Sequence, residues 1–191
     1  YATSWLVSLF GPVAHLDAFS AVTFPQKGPG TEGLTLAADF SVGCLRFASG
    51  LVARLTSGLA APRDRSLTII GDKGTLIVCD LWDNRSPIHL EYAGRSRPLL
   101  HRIVDKLERR RGRRFPFRLV PGKVVPYADA GLKGQLPAYP SQIDFMRGIA
   151  VQAAAIEAGT APYFSGERAL HLTDIVLALN AGRRDYTPSP L

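Results

Sequence analysis

Cysteine, methionine, histidine and tryptophan are all scarce in this 191-residue chain, which holds two, one, four and two of them respectively. The two cysteines, Cys44 and Cys79, have no Cys or His at metal-ligand spacing. Two buried thiols in a reducing, cytoplasmic compartment are therefore the expectation, rather than a disulfide or a metal site. No apolar run approaches the roughly 20 residues of a membrane-spanning helix, and the first residues lack the basic, apolar, small-residue order of a signal peptide. A membrane is therefore not an expected partner. The single methionine is Met146, and the chain begins at Tyr1 inside an apparent helix. This predicts a domain excised from a longer polypeptide.

What is present reads first as strands. With 46% hydrophobic and 20% charged residues, a chain of this length buries roughly 70% of its unfolded surface, so one sizeable core is expected. Asp39 to Phe47 ends at the small-residue turn Ala48-Ser49-Gly50, and Leu51 to Leu59 returns as a hairpin. Ser66 to Ile70 and Thr75 to Asp80, joined by Gly71-Asp72-Lys73-Gly74, make a second hairpin. Together they predict a four-strand antiparallel meander whose apolar face needs a cover.

The cover is predicted at both ends of the chain. Tyr1 to Phe10 places Trp5, Leu6, Leu9 and Phe10 on one side of a helix lying on the sheet, stopped by Gly11-Pro12. Val13 to Phe24 alternates as a strand, and Pro25 to Gly33 is a loop. Leu119 to Tyr139, rich in proline and glycine, predicts mostly coil. Ser141 with Asp144 approximates a capping box for a helix striped by Phe145, Ile149, Ala153 and Ile156 and closed by Gly159. Ser165 or Gly166 opens a last helix, with Leu170, Thr173, Val176 and Leu179 or their neighbours inward and Gly182 as the stop. The fold class is α+β: a predominantly antiparallel open β-sheet with helices packed on one face, in a single domain over residues 1–191.

The net charge of +7 is local. Residues 95–118 carry ten basic residues against Asp105 and Glu108, leaving 13 basic and 14 acidic residues elsewhere. Arg109 to Arg114 with Phe115 and Phe117 suit either a phosphate-binding stripe with stacking aromatics or a solvated, partly helical (Leu99 to Arg111) insertion. No recognisable nucleic-acid module accompanies it, so nucleic acid is not an expected partner.

The segments YATSWLVSLFGPV, DFSVGCLRFASGLVARLTSG, SLTIIGDKGTLIVCD and QIDFMRGIA with FSGERALHLTDIVLALNAG, in this order, resemble the C-terminal domain of the Gfo/Idh/MocA oxidoreductase family. The resemblance covers nearly all of the chain except the arginine-rich insertion. It implies an N-terminal Rossmann domain that binds NAD or NADP, and a C-terminal open sheet that closes the pocket for a sugar, cyclitol or related polyol and mediates homo-oligomer contacts. The one GxGxxG spacing, Gly28 to Gly33, falls in the loop expected over Pro25 to Gly33 and leads to a strand rather than opening a helix, so it is not the dinucleotide fingerprint; the Lys-Pro dipeptide that carries the family's catalytic lysine is absent. The domain alone is thus expected to bind no dinucleotide and to catalyse nothing.

Family members often place Asp, three residues, then His or Tyr at the start of this first helix, which puts Tyr1 where the His or Tyr belongs. The resemblance implies that Tyr1 is a proton shuttle or a hydrogen-bond donor to substrate; the other reading is an aromatic that merely begins an amphipathic helix. Arg63 and Arg65, around Asp64, could bind sugar hydroxyls or a carboxylate, or form a salt-bridged connector. Trp82, Asp83, Asn84 and Arg85 could line an interface or a substrate. His171 and Asp174, at i and i+3 on the last helix, lack a third ligand and are expected to face solvent, so no metal role is assigned. His15, His89 and His101 are isolated, and none reads as catalytic. Two other classes stay open: a relative that keeps the fold as a structural or regulatory subunit, and a binding module using the arginine-rich segment.

Overall fold

A computed structural model describes residues 1–59, 64–83, 86–94, 99–111, 120–126 and 145–191. The elements in order are α1 (Ala2–Phe10), β1 (Val13–Ala21), β2 (Phe40–Phe47), β3 (Val52–Gly58), β4 (Leu67–Gly71), β5 (Gly74–Val78), β6 (Ile88–Tyr92), α2 (Leu99–Arg111), β7 (Lys123–Val125), α3 (Arg147–Glu157) and α4 (Gly166–Asn180). They fall into two compact units, one of Tyr1–Pro62 with Phe145–Leu191 and the other of Arg63–Asp144. The class is α+β, with every strand pairing antiparallel among the described residues.

In the first unit the order is β1-β2-β3. Strand alternation puts Leu16 and Ala18 of β1 and Gly43, Leu45 and Phe47 of β2 on one buried face. Helix α4 lies on that face, and its Ile175, Ala178 and Leu179 complete the core. Gly43 makes this close approach possible, since a Cβ there would stand 2.2 Å from Leu179 Cδ2. The bulge between Val13 and His15 re-phases β1, so Val13 and Leu16 are both buried although three positions apart. The outer edge of β1 is covered rather than bare. Leu16 and Tyr186 exchange two backbone hydrogen bonds (2.8 and 3.0 Å), and Ala18 N–H donates to the Arg183 carbonyl.

The loop between β1 and β2 is tied at its base by Asp39. This buried carboxylate accepts from Thr23 N–H and Thr23 Oγ1 (2.6 Å each) and from Phe24 N–H (2.9 Å), with Lys27 Nζ at 3.6 Å. These bonds, led by Thr23, hold its carboxyl far below the usual carboxylate range.

The second unit has the order β4-β5-β6-β7. The expected four-strand meander is therefore corrected. Both hairpins form as expected, but β2-β3 and β4-β5 belong to different sheets, because a tight turn dictates only local pairing and leaves longer-range partners open. Strand β6, whose residues alternate less clearly, had no counterpart in the expectation, and β7 falls within the segment expected to be coil. The helix over Leu99–Arg111 is present as expected.

Helix stops agree with their glycines. Gly159 (φ 63°) ends α3 and Gly182 (φ 61°) ends α4, each followed by a residue whose N–H reaches back five positions, Thr160 to Ala155 and Arg183 to Ala178. Inward faces differ from expectation. On α4 the buried residues are His171, Ile175, Ala178 and Leu179, while Leu170 and Val176 are exposed. On α1 they are Thr3, Leu6 and Val7; Leu9 is exposed, the helix leans on α4, and Phe10 meets Phe47 edge-to-face at 5.7 Å. Both helices are apolar over more than one stripe, so which stripe turns inward was set by the neighbours. The capping pair Ser141 and Asp144 lies outside the described residues.

Candidate functional site

Tyr1 sits at the N-cap of α1 and is 85% exposed. Its carbonyl accepts from Ser4 Oγ (2.6 Å) and Trp5 N–H (3.3 Å), so the first helical turn is closed and the phenol stands at its exposed start. That is a geometry able to present a hydroxyl to a reacting group outside this chain.

Arg65 belongs to the second unit. Its Nη2 donates to Asp80 Oδ2 at 3.0 Å, and its guanidinium lies 5.1 Å from the centre of the Trp82 ring. Asp80 in turn accepts from Trp82 N–H (2.8 Å), while its own N–H donates to buried Ser86 Oγ (2.7 Å). The structure thus joins two stretches that the sequence presented separately, the loop before β4 and the turn after β5. In this arrangement Arg65 clamps that turn. Arg63, Asn84 and Arg85 lie outside the described residues, as do residues 112–119 of the arginine-rich segment.

A third cluster was misjudged from sequence. His171 is fully buried, not solvent-facing: Val13 N–H donates to its Nε2 at 3.0 Å, and Nδ1 lies 2.5 Å from the Ser189 carbonyl. A carbonyl can only accept, so the proton is assigned to Nδ1 and the bare Nε2 serves Val13. One turn along, Asp174 accepts from Tyr186 Oη (2.6 Å), Ser189 N–H (2.8 Å) and Ser189 Oγ (3.0 Å). The Tyr186 hydrogen bond, then that of Ser189, lowers the Asp174 carboxyl from its ordinary value, and the same carboxylate raises the Tyr186 phenol. The missed signal was the tail: Tyr186 and Ser189 return over α4. Among the described residues no group of three His, Cys, Asp or Glu could hold a metal.

A pH dependence follows. A carboxyl whose folded value is depressed stabilises the fold at neutral pH and loses that contribution as pH falls below the ordinary carboxylate range of about 4. Urea midpoints at pH 7 and pH 3 should therefore fall less in Asp174→Asn than in the parent chain. An equal fall in both would remove Asp174 from the acid limb.

The face of β1-β2-β3 turned away from α4 is open. It carries Asp17, Cys44 and Arg54 in one cross-strand row and Phe19, Val42 and Thr56 in the next. Phe19 is 56% exposed. Cys44 is exposed too, which corrects the expectation of a buried thiol: strand alternation gives the inner face to Gly43 and Leu45. Cys79 is half-buried, and both cysteines are free. Beside this face His15 Nε2 stands 3.5 Å from Asp17 and 3.3 Å from Asp185.

Among the described residues there is no parallel strand-helix-strand crossover of the kind that cradles a pyrophosphate. No helix described is long and apolar enough to cross a membrane.

No family model matches the chain, and no curated protein matches it in sequence. Solved structures do match. Levoglucosan dehydrogenase in complex with NADH and levoglucosan is 16% identical with a TM-score of 0.58, over 99% of this chain and 49% of its own. An oxidoreductase from Agrobacterium radiobacter, in complex with NAD+, L-tartaric acid and magnesium, is 13% identical with a TM-score of 0.57, over 94% and 44%. Aldose-aldose oxidoreductase from Caulobacter crescentus, complexed with glycerol, is 14% identical with a TM-score of 0.53, over 92% and 41%. The chain spans less than half the length of each of these proteins. Its fold is that of the C-terminal domain of the Gfo/Idh/MocA-type oxidoreductases.

Proposed function

We propose that the chain is the C-terminal, substrate-facing and oligomerisation domain of an NAD(P)-dependent oxidoreductase acting on a sugar, cyclitol or related polyol. The observation that carries this reading is the match of nearly the whole chain to less than half of each of several oxidoreductases, among them levoglucosan dehydrogenase in complex with NADH and aldose-aldose oxidoreductase. The nicotinamide cofactor, NAD or NADP, belongs to an upstream Rossmann domain of the same polypeptide. This domain supplies a wall of the substrate pocket, and the open face of β1-β2-β3 suits contact with a second subunit. Tyr1, at the start of α1, is assigned a place beside the substrate as proton shuttle or hydrogen-bond donor. For the arginines, Arg63 remains a candidate for sugar hydroxyls, and Arg65 reaches substrate only if the Asp80 pairing yields.

The test uses the natural full-length polypeptide that contains this sequence. Reduction of NAD+ or NADP+ in the presence of a panel of sugars and polyols is the expected result, with the 191-residue chain alone inactive. A full-length polypeptide that binds neither nucleotide sinks the reading.

A further inference from the structure

We infer that α3 is the docking helix for the upstream half of the polypeptide, an assignment that rests on the function proposed above. Helix α3 is the one helix of the first unit with no buried residue. Its sequence nevertheless suits burial: between Arg147 and Glu157 it carries no charge, and Gln152 is the only polar side chain. A short helix with no buried residue is marginal in water, and one that is apolar nearly all round normally lies inside a larger structure. Phe145, Ile149 and Ile156, on the stripe seen in the sequence, are 79%, 61% and 70% exposed.

Gly148, Ile149, Gln152, Ala153, Ile156 and Phe164 line a shallow, open and mostly apolar depression along the stripe. Two observations select the occupant. First, the matched proteins carry about as much chain again outside the part this chain covers. Second, α3 is about 16 Å long and about 10 Å across, so one face of it offers on the order of 160 Å², well short of the roughly 800 Å² per partner that separate chains need for a stable interface. A partner tethered in the same polypeptide, at high effective concentration, needs far less contact. The upstream domain meets both conditions and a second copy meets neither.

Hydrogen exchange of the full-length polypeptide tests this. Amides of α3 should exchange at least roughly 100-fold more slowly than those of an uncovered helix. The double variant Ile149→Lys with Ile156→Lys should lose that protection and open the polypeptide to cleavage between its halves. Ala154→Lys, on the opposite side of α3, should change neither, which separates lost docking from general unfolding. Fast exchange of α3 in the unmodified full-length polypeptide would overturn the assignment, as would protection lost on dilution in step with a dimer. Nucleotide binding measured on the same sample keeps the two readings apart. Binding without protection overturns the docking alone; protection without binding overturns the dehydrogenase and leaves α3 docked.

Discussion

His171→Ala is expected to destabilise the first unit by about 3–5 kcal/mol, against a total of roughly 5–15 kcal/mol for an ordinary domain. Two effects add. Removing a fully buried ring leaves a cavity among tightly packed neighbours, and it orphans the Val13 N–H and the Ser189 carbonyl, which the imidazole joins across 158 and 18 residues of sequence. A buried donor with no acceptor costs about 1–3 kcal/mol by itself. His171→Gln keeps an acceptor that can reach Val13 and should recover part of the loss. Leu170→Ala, one position away but 57% exposed, should cost under about 1 kcal/mol. Urea unfolding of the three variants checks the ranking. A cost for His171→Ala near that of Phe-sized cavity formation with no recovery in His171→Gln would make the imidazole a passive filler, and a cost no larger than that of Leu170→Ala would overturn its buried placement.

In the full-length polypeptide, Tyr1→Phe is expected to lower kcat by roughly 10²–10⁴-fold with KM little changed, the usual size of a lost proton-transfer group. Phenylalanine keeps the ring and the helix start, since the bonds closing the first turn of α1 come from the backbone carbonyl of residue 1 rather than from its phenol. A urea midpoint measured on the same variant separates lost chemistry from lost fold. A phenol that only binds substrate would raise KM and leave kcat within a few-fold. No change in either would return Tyr1 to the role of an aromatic at the start of a helix.

These expectations rest on parts of the molecule that were unequally legible in the sequence. Hairpins and helix ends were readable because their signals are local: Gly50, Gly159 and Gly182 all adopt positive φ where a turn or a helix stop was expected. Sheet membership was not readable, because nothing in the run from Leu51 to Ile70 says that its two strands part company. The environment of His171 depends on Ser189 and Val13, which the i and i+3 relation to Asp174 does not reveal. Asp174 looked like the surface partner of that histidine, whereas its hydrogen bonds go to Tyr186 and Ser189. Tyr1 was singled out by resemblance rather than by chemistry, since an aromatic opening an amphipathic helix has no distinctive pattern. Arg65 was equally ambiguous until Asp80 and Trp82 were placed beside it.

Cys44 gives the molecule an internal reporter. It sits on the middle strand of the open sheet face, between Asp17 and Arg54, and it is exposed. Whatever comes to cover that face must shield its sulfur, so the rate at which a thiol-reactive dye labels Cys44 measures the cover directly. In the 191-residue chain, replacing the half-buried Cys79 by serine leaves Cys44 as the remaining cysteine, and assembly through the sheet becomes a kinetic signal that requires no knowledge of the substrate.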